Sequence, residues 1–138
     1  MKFLRLKVRD FELLLERQNV RILRPYEMRF TNDNLIRAIH VGEPIIDLGT
    51  LVDRSPSSGK IGVLFKNGFG ILADDVTEFE EQVTVEEIDP LVLKLKGNIT
   101  KAIGKINSKL IPIASFESIF TDEFINTLSS LMSQGSWI

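Results

Sequence analysis

The chain has 138 residues, 43% of them hydrophobic, with 17 basic and 19 acidic side chains and a net charge of −2. That size fits one ordinary domain or two small fused barrels, with enough apolar content for a buried core. The absence of cysteine excludes disulfides, thiolate metal sites and cysteine nucleophiles, and the charge argues against a dedicated nucleic-acid binder, which carries a basic surface.

Met1 is followed by Lys2 and an alternating segment, not by an apolar signal region. No window approaches the ~18 apolar residues that cross a bilayer. The expectation is a cytoplasmic protein without direct membrane insertion. From Phe3 to Val8, Leu4, Leu6 and Val8 share one face, and Arg5 and Lys7 the other. A turn at Arg9-Asp10 leads into Phe11–Glu16, where Phe11, Leu13 and Leu15 share a face. This period-two pattern is a hairpin. Asn19 is placed to cap a short helical turn through Val20, Ile22 and Leu23 that Pro25 ends. Tyr26 to Asp33 reads as a polar loop. Leu35 to Val41 and Pro44 to Leu48 form the next hairpin, with Gly42-Glu43 as a type II′ turn, glycine first. Asp53 to Lys60, containing Ser55-Pro56-Ser57-Ser58-Gly59, is the best linker candidate.

Ile61 to Lys66 and Phe69 to Ala73 then flank Asn67-Gly68, a strong hairpin signal. Asp74-Asp75-Val76 and Phe79 follow, as Val20 follows the first hairpin. The stretch Asp74 to Asp89 holds eight acids and no base. It reads as a solvated edge, or as a charge that orients a protein partner. Val83, Val85 and Ile88 alternate there until Pro90, and Val92 to Lys96 alternates again. A long hairpin, Ile99 to Ala114, turns near Asn107-Ser108. Thr121-Asp122 supplies a cap and a negative charge for a C-terminal helix over 121–134. Phe124, Leu128, Leu131 and Met132 form its apolar stripe, and Ser133 to Ile138 is expected to fray.

One pattern occurs twice. Arg37-Ala38-Ile39 leads through a turn to Pro44-Ile45, then Leu48, Leu51 and Val52; Lys101-Ala102-Ile103 leads to Pro112-Ile113, then Phe116, Ile119 and Phe120. Spacings after each proline are identical. Before it, the second copy has four more residues, or two per arm, which keeps every side chain on its face. Two rounds of this grammar give about nine or ten short strands. The expected class is mainly β, with two small five-stranded barrels. The approximate halves are 1–58 and 59–120, followed by the helix.

Catalytic signals are thin. His40 is the only histidine, so no triad or HExxH motif can form around it, and beside a tight turn its role reads as structural. Asp74, Asp75, Glu78, Glu80 and Glu81 lack the spacing and glycine of a calcium loop. Gly62, Gly68 and Gly70 sit in a hairpin and open no helix, so no phosphate cradle follows. In strands, Gly62 and Gly70 suggest a bulge or a close backbone approach. An RNA-binding barrel would need stacked aromatics on a basic face, but the one tryptophan, Trp137, lies in the tail and the one tyrosine, Tyr26, in a loop. The expectation is a protein-binding module with no catalytic residue, cofactor or metal, and no nucleic acid.

The order of elements resembles the CheW-like family of chemotaxis adaptors over nearly the whole chain. The residues that carry the resemblance are Phe11-Glu12-Leu13-Leu14-Leu15, Val20-Arg21-Ile22-Leu23-Arg24-Pro25 and Pro44-Ile45-Ile46-Asp47-Leu48. In the second half they are Ile71-Leu72-Ala73-Asp74-Asp75-Val76-Thr77-Glu78-Phe79 and the run from Leu110 to Phe120. The resemblance implies two intertwined SH3-like five-stranded barrels without catalysis. It also implies two partners: the regulatory domain of the histidine kinase CheA and the cytoplasmic tip of a chemoreceptor. The chain departs from the family in two places. The turn Ile39-His40-Val41-Gly42-Glu43-Pro44 is short and lacks the family's arginine, and Ser115 replaces an aspartate. The expected partner-binding groove between the barrels is lined by Ile36, Val41, Gly42, Val76 and Phe79, with core burial as the competing reading for Ile36 and Val76. A homo-oligomer built by barrel-to-barrel contact is the alternative to receptor coupling.

Overall fold

The alternation at the start of the chain becomes strand β1 (Phe3–Val8), folded back by Arg9-Asp10 onto β2 (Phe11–Glu16) with Val8 opposite Phe11. The structure is a computed structural model that describes residues 2–25, 30–80, 82–86 and 99–134. The sequence-predicted strand Val92 to Lys96, Tyr26 and Trp137 lie outside the described residues.

The helical turn expected after Asn19 is instead strand β3 (Val20–Pro25). Asn19 has φ +69°, not the extended conformation of an N-cap, and its carbonyl accepts from the Lys66 N–H at 2.7 Å. Val20 can then pair with Phe65 of β6 (Ile61–Phe65), with a bulge before Ile22. Pro25, which has no N–H to donate, ends this strand on a sheet edge.

The first long hairpin is β4 (Ile36–His40) and β5 (Glu43–Asp47). Its turn is Val41-Gly42, with φ +50° and +80°, so it is the I′ type rather than the II′ turn expected at Gly42-Glu43. The hairpin between β6 and β7 (Gly70–Ala73) also differs from expectation. Its loop spans Lys66 to Gly68, closed by Gly68 N–H to Phe65 O at 3.1 Å, with Gly68 at φ +94°. Three residues with glycine last is the glycine-bulge form of loop. The other described strands are β8 (Asp75–Phe79), β9 (Thr84–Glu86), β10 (Ala102–Ile106) and β11 (Lys109–Ala114).

The duplication is borne out residue by residue. Ile39 pairs with Pro44, and Ile103 with Pro112. Between them the first hairpin has one further pair before its turn, and the second has three. Each proline strand runs on into a short helix, α1 (Leu48–Asp53) or α2 (Phe116–Ile119). The cap of α1 is Asp47 and that of α2 is Ser115, whose hydroxyl and that of Ser118 form a capping box.

Among the described residues the strands form a six-stranded sheet, ordered β8-β1-β2-β11-β10-β9, and a five-stranded sheet, β3-β6-β7-β5-β4. In each, two hairpins join through a parallel pair, β2 with β11 and β7 with β5. Each sheet therefore draws strands from both halves 1–58 and 59–120, and the halves are interleaved rather than side by side. Within each sheet the two edge strands do not pair with each other among the described residues. The fold is mainly β, a pair of intertwined SH3-like units.

Alternation sorts neighbouring residues into different cores. Leu13 and Leu15 join Leu4, Leu6, Ile46, Val63 and Phe65 in the core shared by both sheets. Leu14 points the other way, into a core with Phe3, Phe79, Ile111 and Ile113. Ala38, Ile45, Leu64 and Leu72 are the matching core of the smaller sheet. Burial on both faces explains why Leu13-Leu14-Leu15 is continuously apolar.

The sequence-predicted linker is a pinned strap. Ser57 donates to the buried Asp47 from N (2.9 Å) and Oγ (2.8 Å), and Ser58 N donates to Asp74 at 2.6 Å. Arg9 holds the carbonyls of Ser55 (3.0 Å) and Pro56 (3.1 Å), and pairs with Asp53 at 2.5 Å. The C-terminal helix α3 (Asp122–Ser133) is capped by Thr121 as expected, with Phe124 N–H to Thr121 Oγ1 at 3.2 Å. Leu128 is buried in the shared core, with Phe124, Leu131 and Met132 packed against it.

Candidate partner-binding surface

The five residues expected to line one groove fall into three environments. Ile36 and Val76 are buried in the shared core. Phe79 is nearly buried in the second core and reaches the surface at a cleft in the larger sheet. Val41 and Gly42 are exposed at the β4–β5 turn, and Val41 lines a cleft in the smaller sheet. Among the described residues, none lines both clefts.

The cleft in the smaller sheet has a volume of about 300 Å³ and lies between two hairpin tips, His40 to Glu43 and Leu64 to Gly68, with Arg21 of β3 at its side. Gly68 makes this approach feasible: a Cβ there would lie 2.8 Å from Cγ and Cδ of Glu43. Val41 is 88% exposed and holds a left-handed conformation, φ +50°. A β-branched residue in that region is a genuine outlier and costs on the order of 1–3 kcal/mol. Burial does not offset this, because the side chain is in solvent. Strain kept at an exposed apolar tip marks the turn as the strongest candidate contact.

The cleft in the larger sheet also measures about 300 Å³, formed by Arg5, Phe79, Ile111 and the β10–β11 tip from Ile106 to Lys109. Beside it Glu12 accepts from Arg5 at 2.7 Å and Lys109 at 3.1 Å, with Lys7 at 3.6 Å. Burial alone would raise the Glu12 pKa, but the hydrogen bonds and charges of Arg5 and Lys109 hold it below its ordinary value. The Nε of Arg5 is buried and has no hydrogen-bond partner among the described residues. Sequence reasoning singled out Phe79 but missed Arg5, Glu12 and Lys109. The signal was there: Glu12 interrupts an apolar strand, and Arg5 alternates into the same face.

Among the described residues, no group of three or more His, Cys, Asp or Glu side chains is placed to hold a metal ion. No described helix is long and apolar enough to cross a membrane. Asp74 and Asp75 do not act as a pair: Asp74 is bound to the strap and to Arg9 N–H (2.7 Å), while Asp75 is exposed.

Two interleaved sheets joined by a shared core, with paired hairpins offering exposed tips, define the CheW-like class of fold. Among solved structures, the chain is similar to the scaffolding protein TtCheW from Thermoanaerobacter tengcongensis, with TM-score 0.61 and 19% identity over 82% of this chain and 87% of that one. No protein-family model and no curated protein sequence matches the chain.

Proposed function

We propose that this protein is a non-enzymatic, cytoplasmic adaptor in chemotaxis-type signalling, coupling chemoreceptor tips to the regulatory domain of the histidine kinase CheA. The observation that carries this reading is the interleaved two-sheet architecture held in common with a scaffolding protein. The strained, exposed Val41-Gly42 turn supports it, since strain of this kind collects where contacts are made. In this reading Val41 and Gly42 touch a partner and Phe79 floors a contact. Ile36 and Val76 support those surfaces from the core.

Calorimetric titration of the protein with a CheA regulatory domain and with a receptor-tip fragment tests this. Micromolar binding to either supports coupling, and no heat at high micromolar concentration of both removes it. A second reading is a divergent module that binds itself or another barrel. It is favoured by the short turn Val41-Gly42-Glu43, which lacks the arginine of the resembling family. Light scattering across a concentration series decides it, since a strict monomer eliminates self-association.

A further inference from the structure

We propose that the cleft of the larger sheet docks a partner segment carrying a carboxylate next to an apolar side chain. The floor is apolar: Phe79 and Ile111 of the second core line it, with Ile106 packed against them. The rim has a surplus of positive charge. Lys7 stands opposite the exposed Asp75 across the β1–β8 pair. Arg5, Lys109 and Lys7 share a single carboxylate, Glu12. The Arg5 side chain is 28% exposed. A guanidinium makes its strongest hydrogen bonds to carboxylates. One further carboxylate balances the charge and gives the exposed part of the Arg5 side chain a second acceptor, while an apolar neighbour covers Phe79, Ile106 and Ile111. The Asn107-Ser108 turn adds polar groups along the same rim.

The inference deepens the adaptor reading by naming the chemistry of a partner, but the cleft itself is tested alone. The full chain, labelled with ¹⁵N, is titrated with the peptide acetyl-Leu-Glu-Leu-Glu-Leu-amide and with its glutamine counterpart. The expected result is chemical-shift change at the Arg5 side chain, at Phe79 and from Ile106 to Ile111, with the glutamine peptide bound about tenfold more weakly. Lys109 is 60% exposed in its side chain, so Lys109→Gln leaves folding intact and weakens the glutamate peptide by about threefold to tenfold. Equal binding of the two peptides, shifts confined to other surfaces, or no shifts at millimolar peptide each overturn the proposal. The two readings fail separately. Peptide binding without kinase or receptor binding removes the adaptor reading alone; kinase or receptor binding unchanged by Arg5→Gln and Lys109→Gln removes the cleft's role in it.

Discussion

Asp47 and Ser115 occupy the same step of the two duplicated units, each capping the short helix that follows its proline strand, yet only Asp47 carries a charge. Asp47 is fully buried, and its carboxylate accepts from Thr50 N (3.0 Å), Ser57 N (2.9 Å) and Arg37 (2.7 Å). The first copy has a strap to hold, and the second does not. Asp47→Ala leaves the largely buried Arg37 without its ion pair and frees the strap, so a loss of about 3–5 kcal/mol is expected. Ser115→Ala removes only a cap, about 1 kcal/mol. Urea denaturation of both variants measures this, and equal losses would refute the unequal roles.

Relief of the Val41 strain separates stability from function. Val41→Asn creates the Asn-Gly pair favoured by type I′ turns, and a gain of about 1 kcal/mol is expected. If the turn is a contact, the same variant binds its partner less well. A variant that is neither more stable nor weaker in binding contradicts the assignment.

Acid should weaken the protein through the strap. Burial alone would raise the Asp74 pKa, but hydrogen bonds from Ser58 and Arg9 outweigh it and hold the group below 3.8. For Asp53, the hydrogen bond from Arg9 dominates and lowers the pKa in the same way. With folded values depressed, the unfolded chain takes up protons first as pH falls. Their contribution is thus fully present above about pH 5 and is lost as pH drops through 3.8 toward the folded values. Urea midpoints from pH 7 to pH 3 should be flat and then fall, and Asp74→Asn should flatten the fall. Parallel curves for parent and variant would count against the mechanism.

The Arg9 side chain ties the β1–β2 turn to the strap, and the Asp74 carboxylate bridges the same two segments through Arg9 N and Ser58 N. Arg9→Ala should speed hydrogen exchange across Ser55 to Ser58 by about tenfold or more, because those amides then open locally. Exchange in β1 and β6 should stay as it was. Unchanged exchange in the strap would show that Asp47 and Asp74 suffice.

Gly70 lies where strands crowd: a Cβ there would sit 2.8 Å from Leu64 Cδ2 and 3.2 Å from Ile45 Cγ1 and Val63 O. Gly70→Ala should cost about 1–3 kcal/mol, as overpacking does. Thermal unfolding reads this out, and a neutral variant would mean that the small core of Ala38, Ile45, Leu64 and Leu72 can expand.

What the sequence determined by itself was local and periodic. Two extra residues per arm placed Ile103 against Pro112 as Ile39 stands against Pro44, because strand alternation has a period of two. Thr121 capped its helix because a cap needs only the next three residues. The tertiary structure decided what depends on distant partners. Asn19 began a strand because Lys66 and Phe65 were there to pair with it. A serine- and glycine-rich segment became a strap because Asp47, Asp74 and Arg9 converge on it from three separate elements. The expected groove residues divided for the same reason. Ile36 and Val41 lie five positions apart in the chain, but one enters the shared core and the other ends at an exposed tip. Alternation names two faces of a strand, and only the packing of one sheet on the other decides which of them meets solvent.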